Sequence, residues 1–273
     1  MFKRLVSSLI AAIIYTAIDF SGSALLGQPA LNSFFQTLAA GFITAAMVSY
    51  VVEWLNLDAK NSMLLVWLGL FTVHLLNLVE YAFFSTHTLE ERVAPAAVLA
   101  VKDAAIALTL ALAINRGGEK TRIGRALSGY FRAKPPHSWV ARYLALSILF
   151  IAIYLFFGAL FSPYILPYYD NPNLGLQLTV PEPNVIFSLE FFRALAYLAA
   201  FTPLIASLHG DRFKTYATLM SLLYVAGGLA SLLEAPSWPL GLRLAHGAEL
   251  LLDSAVWSLA VTYMLTGKNK GNR

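Results

Sequence analysis

Val140 to Phe161 reads VARYLALSILFIAIYLFFGALF, twenty-two residues with a single charge, Arg142, near the start. As a helix this run rises about 33 Å, at 1.5 Å per residue. A bilayer's hydrocarbon core is about 30 Å thick and needs about 20 apolar residues to cross it. Seven further stretches qualify: Leu5–Leu26, Phe34–Trp54, Met63–Phe84, Val93–Ile114, Val185–Leu208, Lys214–Leu233 and Leu242–Leu265. Backbone polar groups in lipid must be satisfied within the segment, so runs this long are helices.

The composition agrees. Hydrophobic residues make up 58% of the chain and charged residues 12%, against about 25% charged in a soluble domain. Such a chain lacks the charge to cover itself with water, and its mean hydropathy is +0.66. The sequence therefore predicts an all-α, polytopic membrane helix bundle of about eight transmembrane helices, in contact with the lipid bilayer of the cell membrane. The absence of cysteine excludes disulfides, thiolate metal sites and a cysteine nucleophile.

Orientation follows from the basic residues. With the N-terminus inside, fifteen of nineteen Lys and Arg fall on the inner side: Lys3, Arg4, Lys60, the series from Arg116 to Arg142, Arg212, Lys214, Lys268, Lys270 and Arg273. Only Arg92 and Arg243 fall outside, and Lys102 and Arg193 lie within spans. Both termini are predicted cytoplasmic. The net charge of +4 is thus a topology signal, with no nucleic-acid partner implied. The first span also has the charged start, apolar centre and small-residue end of a secretory signal.

The two halves share features in the same order. FFQTLAAGF (Phe34–Phe42) opens the second span and FFRALAYLA (Phe191–Ala199) the sixth. NLVEYAFFST (Asn77–Thr86) ends the third, with Glu80, and SLLEAPSWPL (Ser231–Leu240) the seventh, with Glu234. Arg92 and Asp103 correspond to Arg243 and Asp253, and Ile14-Tyr15 to Ile153-Tyr154. These matches predict two parallel four-helix repeats, residues 1–115 and 140–266, joined by a basic cytoplasmic linker, 116–139, and followed by a tail, 267–273. A repeat of four spans requires the first span to be retained.

Ionisable residues inside spans are costly, about 2.5–3.5 kcal/mol each at a helix centre on insertion scales. In the eighth span His246, Glu249 and Asp253, spaced three and four apart, fall within about 60° of one face. In the third, His74, Asn77 and Glu80 form a stripe. Glu190 and Arg193, at i, i+3, are placed to neutralise each other. Lys102 either snorkels or pairs with its neighbour Asp103. Glu234 fits a headgroup position as well as a site. The helical rise gathers Glu80, Glu234, His246 and Glu249 in the outer half, which predicts a polar cavity opening outward. The outer loop Ser162–Asn184, with five prolines, is a candidate cap, and Tyr164, Tyr168, Tyr169 and Trp238 suit an aromatic belt.

Three functions compete. The first is a proton- or cation-coupled small-solute transporter, with Glu80, Asp103, His246, Glu249 and Asp253 as candidate proton and solute residues and no cofactor. The second is a membrane enzyme holding a metal ion or haem through His74, Glu80, Glu234, His246 and Glu249. His74 and His246 differ in depth by about 8–10 Å on the helical rise, which weakens a haem held between them. The third is a non-catalytic subunit or scaffold whose polar face meets a membrane partner subunit or a second copy in a homo-oligomer.

EFFRALA (Glu190–Ala196) resembles the glutamate-to-arginine segment of CAAX-type intramembrane proteases. That family has paired glutamates, wider spacing and later histidine helices, none of which is matched here, so the resemblance implies no activity. There is no HExxH and no glycine-rich phosphate cradle.

Overall fold

The computed structural model describes residues 1–26, 34–55, 57–114, 122–169 and 171–266. Its helices are α1 (Phe2–Leu25), α2 (Phe34–Trp54), α3 (Ala59–Phe83), α4 (Val93–Ile114), α5 (Ile123–Arg132), α6 (Pro136–Tyr169), α7 (Pro183–Ser207), α8 (Arg212–Leu233) and α9 (Leu240–Leu265). All but α5 are long and apolar enough to cross a membrane. The chain is an all-α polytopic membrane helix bundle. The predicted tail, 267–273, and the linker residues before Arg122 lie outside the described residues.

Local chemistry sets the helix ends. Asp58 caps α3 by accepting from Asn61 N at 2.8 Å, and Asp211 caps α8 by accepting from Lys214 N at 3.1 Å. Most helices begin or end within a few residues of their predicted bounds, and α6 and α8 differ most in form. α6 runs on past Phe161 to Tyr169, through Pro163 and Pro167. Proline removes the amide that would bond the carbonyl four residues back. The Ser162 hydroxyl supplies a donor to that carbonyl, Ala159 O, at 2.9 Å. α8 contains a π-helical stretch, Ser221–Ala230, a form frequent at functional sites.

The solvent-facing pattern of a soluble protein is reversed. Ile148, Phe156, Phe192, Leu244 and Leu259 are exposed, as lipid permits, while Ser147, Thr202, Ser221 and Thr262 are buried. Many of the buried hydroxyls return to the carbonyl four residues back, as Ser147 does to Tyr143 O and Thr202 to Leu198 O, which satisfies them without water. Phe201, Leu204, Trp257, Leu70 and Ile106 fill the centre. Small residues permit close approach: a Cβ on Gly227 would lie 2.4 Å from Val73 Cγ1, and one on Gly41 would lie 2.8 Å from Tyr15 Cδ1.

In the first half α1 packs on α2 and α4, and α3 on α4; in the second α6 packs on α7 and α9, and α8 on α9. Between the halves α2 meets α8, α3 meets α7, and α3 meets α8. Exchanging α1–α4 for α6–α9 in order maps these pairings onto one another, α3 with α8 onto itself, while the contacts of α2 with α3 and α4 have no comparable counterpart in the second half among the described residues.

At the end of the bundle where α3 finishes and α7 begins, two connections are tied together. Thr179 N donates to Phe84 O at 2.9 Å and Thr86 N to Gln177 O at 3.1 Å.

Candidate functional site

Three polar clusters face one another between the helices. The first joins α3 to α7. Arg193 donates through Nη1 to both Glu190 oxygens at 2.7 and 2.8 Å, and its Nη2 lies 2.7 Å from Glu80 Oε2. Asn77 Oδ1 accepts from Arg193 Nη2 at 3.3 Å and from the Tyr197 hydroxyl at 3.4 Å. Glu190 and Arg193 are buried, so one guanidinium serves two carboxylates from opposite halves of the chain.

The second cluster links α1, α4 and α8. Lys102, which is 2% exposed, has its Nζ 2.6 Å from Asp19 Oδ1, 3.4 Å from Glu234 Oε1 and 4.0 Å from the centre of the Tyr15 ring. The Tyr15 hydroxyl donates to Glu234 Oε2 at 3.2 Å. Of the two expectations for Lys102, snorkelling or pairing with Asp103, the pairing is not formed. Neighbouring residues on a helix point about 100° apart, and Asp103 faces α3 instead. Both its oxygens lie 2.9 Å from His74 Nδ1, while His74 Nε2 lies 3.2 Å from Ala226 O in the π-helical stretch. Ala226 O can only accept, so Nε2 carries a proton, and one further proton is shared between Nδ1 and the Asp103 carboxyl. Asn77 Nδ2 donates to the next carbonyl, Gly227 O, at 2.8 Å.

The third cluster lies on α9. His246 Nδ1 is 2.7 Å from Glu249 Oε2. Asp253, one turn further on, has its Oδ1 buried without a hydrogen-bond partner among the described residues.

A cavity of about 650 Å³ connects the three clusters. Its wall includes His74, Glu80, Glu234, His246, Glu249 and Asp253. Asp103 and Glu190 stand behind the wall, bonded to His74 and Arg193. Leu178 and Val180, from the proline-rich loop, and Phe84 line it at the tied end; Tyr197, Leu223 and Trp257 line it deeper in the bundle. Tyr154, Phe150 and Tyr169 add aromatic surface.

The five residues of the metal or haem reading all reach this wall, yet His74 has both ring nitrogens engaged and Glu234 is held by Lys102 and Tyr15. No group of three or more His, Asp and Glu side chains stands close enough to hold an ion among the described residues. Glu234 is not simply a headgroup residue, since its side chain closes the Lys102 cluster.

Sequence reasoning overlooked Asp19 and the chemistry of Tyr15. Asp19 is a lone acid in the apolar stretch IYTAIDF (Ile14–Phe20), and its cost in lipid was the available signal. Comparison with protein-family models, with curated proteins and with solved structures returned no match.

Proposed function

We propose that this integral membrane protein is a proton- or cation-coupled transporter of a small solute. The observation that carries the reading is the charge imbalance around one cavity. Asp19, Glu80, Asp103, Glu190, Glu234, Glu249 and Asp253 line the cavity or belong to the clusters directly behind its wall, against two fixed cations there, Lys102 and Arg193, and two imidazoles, His74 and His246; Arg92 and Arg243, at the starts of α4 and α9, do not line it. Even with both rings protonated, three carboxylates remain to be neutralised. In a low-dielectric interior that neutralisation comes from protons or from a cation entering the cavity.

The residues proposed to carry the cycle are Glu249 and Asp253, with His246 as the partner that exchanges a proton with Glu249. Glu80 and Arg193 link the halves, and Asp103 with His74 forms a fixed counterpart in the other half. We take the halves as parallel repeats, 1–115 and 140–266; the exchange of helix pairings described above supports this. The cell membrane is the proposed location, with both termini cytoplasmic and the cavity mouth outside.

Purified protein in liposomes carrying an internal pH-sensitive dye tests the reading. An imposed proton gradient should drive solute-dependent proton movement, at least about tenfold slower in Glu249→Gln, since proton-transfer groups typically contribute 10²–10⁴-fold. If no solute from a broad panel moves protons under a proton gradient or is taken up under an imposed sodium or potassium gradient, or if the variant matches the wild type, the transport reading fails.

A further inference from the structure

The two halves treat their paired aspartates differently. Asp103 in α4 meets His74, six positions before Glu80. Its counterpart Asp253 in α9 would meet the residue six positions before Glu234. That residue is Gly228. Gly228 and Asp253 line the same cavity, and a Cβ built on Gly228 would meet only ordinary contacts, 3.4 Å to Tyr224 and 3.5 Å to Leu250 of α9. Close packing therefore does not demand glycine there. In one half an imidazole from the chain answers the aspartate; in the other the matching place offers no side chain, and Asp253 Oδ1 is unpartnered.

We infer that Asp253 is the anchoring carboxylate of a binding site for a small organic cation that carries N–H donors and an apolar body, such as a primary ammonium on an aryl or alkyl group. The cation takes the place that His74 holds in the first half. This rests on the cavity reading above and names the solute class for it.

The surrounding chemistry selects this class over others. A hard metal cation takes six or more oxygen ligands, whereas Glu249 is already held by His246 and the same wall carries Tyr154, Phe150, Trp257 and Leu250 beside the hydroxyl of Ser254. Aromatic faces attract an organic cation and bury its hydrocarbon. An anion would meet Asp253, Glu249 and Glu80 together, and the fixed cation on that wall, Arg193, is already shared between Glu80 and Glu190. A neutral apolar molecule would fill the volume but leave the carboxylate without a donor.

The test uses the full-length protein purified in detergent and titrated calorimetrically with phenethylammonium chloride and with 2-phenylethanol, its neutral near-isostere. The ammonium should bind at least about tenfold more tightly than the alcohol, the discrimination expected when a charge-assisted hydrogen bond is lost. Asp253→Asn should abolish that preference, and Gly228→His should weaken ammonium binding by supplying an internal imidazole. Equal binding of ammonium and alcohol by the wild type, no binding of either, or an unchanged preference in Asp253→Asn overturns the inference, whatever the liposomes show. Selective ammonium binding without flux would leave this site standing and remove the transport reading; solute-driven flux without selective binding would do the reverse.

Discussion

Arg193 Nη2 lies 2.7 Å from Glu80 Oε2, an ion pair that ties α7 in the second half of the chain to α3 in the first, at the wall of the cavity. The same guanidinium is the sole cation within 4 Å of Glu190 among the ion pairs of the described residues. Removing it strands two acids, whereas neutralising Glu80 leaves Arg193 and Glu190 paired. Arg193→Leu is accordingly expected to cost about 3–5 kcal/mol, and Glu80→Gln clearly less. Thermal unfolding in one detergent orders the two variants, and the opposite order would show that Glu80, not Glu190, is the acid that needs Arg193.

Lys102 is held from two sides, by Asp19 at 2.6 Å and Glu234 at 3.4 Å, over the Tyr15 ring. Lys102→Met leaves both acids without their cation and should destabilise strongly. Adding Asp19→Asn should restore part of the loss, because the closest uncompensated charge is then removed. A double-mutant cycle is expected to give a coupling of about 1–3 kcal/mol. Additivity of the two substitutions would deny the pairing.

The number of spans was legible because lipid imposes a length and an apolar composition that water does not. The partners were less so. On α9 the three-residue spacing placed His246 and Glu249 on one face, where i, i+3 side chains can meet; the two lie 2.7 Å apart. Across helices no such rule exists. Lys102 and Asp103 are adjacent in the sequence, yet they turn to α1 and α3 respectively. Glu190 and Arg193 were readable as a local pair, but the arrival of Glu80 from α3 depended on how the halves dock. The span was expected to end at Phe161, before Pro163 and Pro167, yet the helix runs through both, with Ser162 answering the carbonyl that Pro163 strands.

Two adjacent glycines in α8 separate packing from chemistry. A Cβ at Gly227 would sit 2.4 Å from Val73 Cγ1, while one at Gly228 would sit no closer than 3.4 Å to anything. Gly227→Ala should cost about 1–3 kcal/mol through overpacking, and Val73→Ala should relieve it. Gly228→Ala should leave stability nearly unchanged. Equal losses in the two variants would contradict the packing of α3 on α8.

Asp211, outside the spans, accepts from Lys214 N at the start of α8. That bond holds its carboxyl below the ordinary value of 3.8. A depressed value means the cap stabilises the helix above the unfolded value and fades as the pH falls through the folded one. Hydrogen exchange at the first turn of α8 should therefore be insensitive to pH-driven fraying at neutral pH and show it only below about pH 4. Asp211→Ala should show the frayed state at every pH, at a cost of about 0.5–2 kcal/mol.

The chain has no cysteine, so single thiols can be placed without removing any native residue. Val180 is exposed and Ser254 buried, and both line the cavity, the first on the tied loops and the second on α9 beside Asp253. Gly129 lies on α5, in the linker expected on the cytoplasmic side. In intact cells a membrane-impermeant maleimide should label Val180→Cys and spare Gly129→Cys, which should react only after permeabilisation. A small methanethiosulfonate cation should also reach Ser254→Cys from the Val180 side, more slowly than it reaches Val180→Cys, because it must pass the walls formed by Tyr169, Trp238 and Glu80. Phenethylammonium should slow this second reaction without affecting the first. Labelling of Gly129→Cys in intact cells would reverse the orientation. Labelling of Ser254→Cys from the Gly129 side alone would place the entrance of the cavity at the opposite end of the bundle.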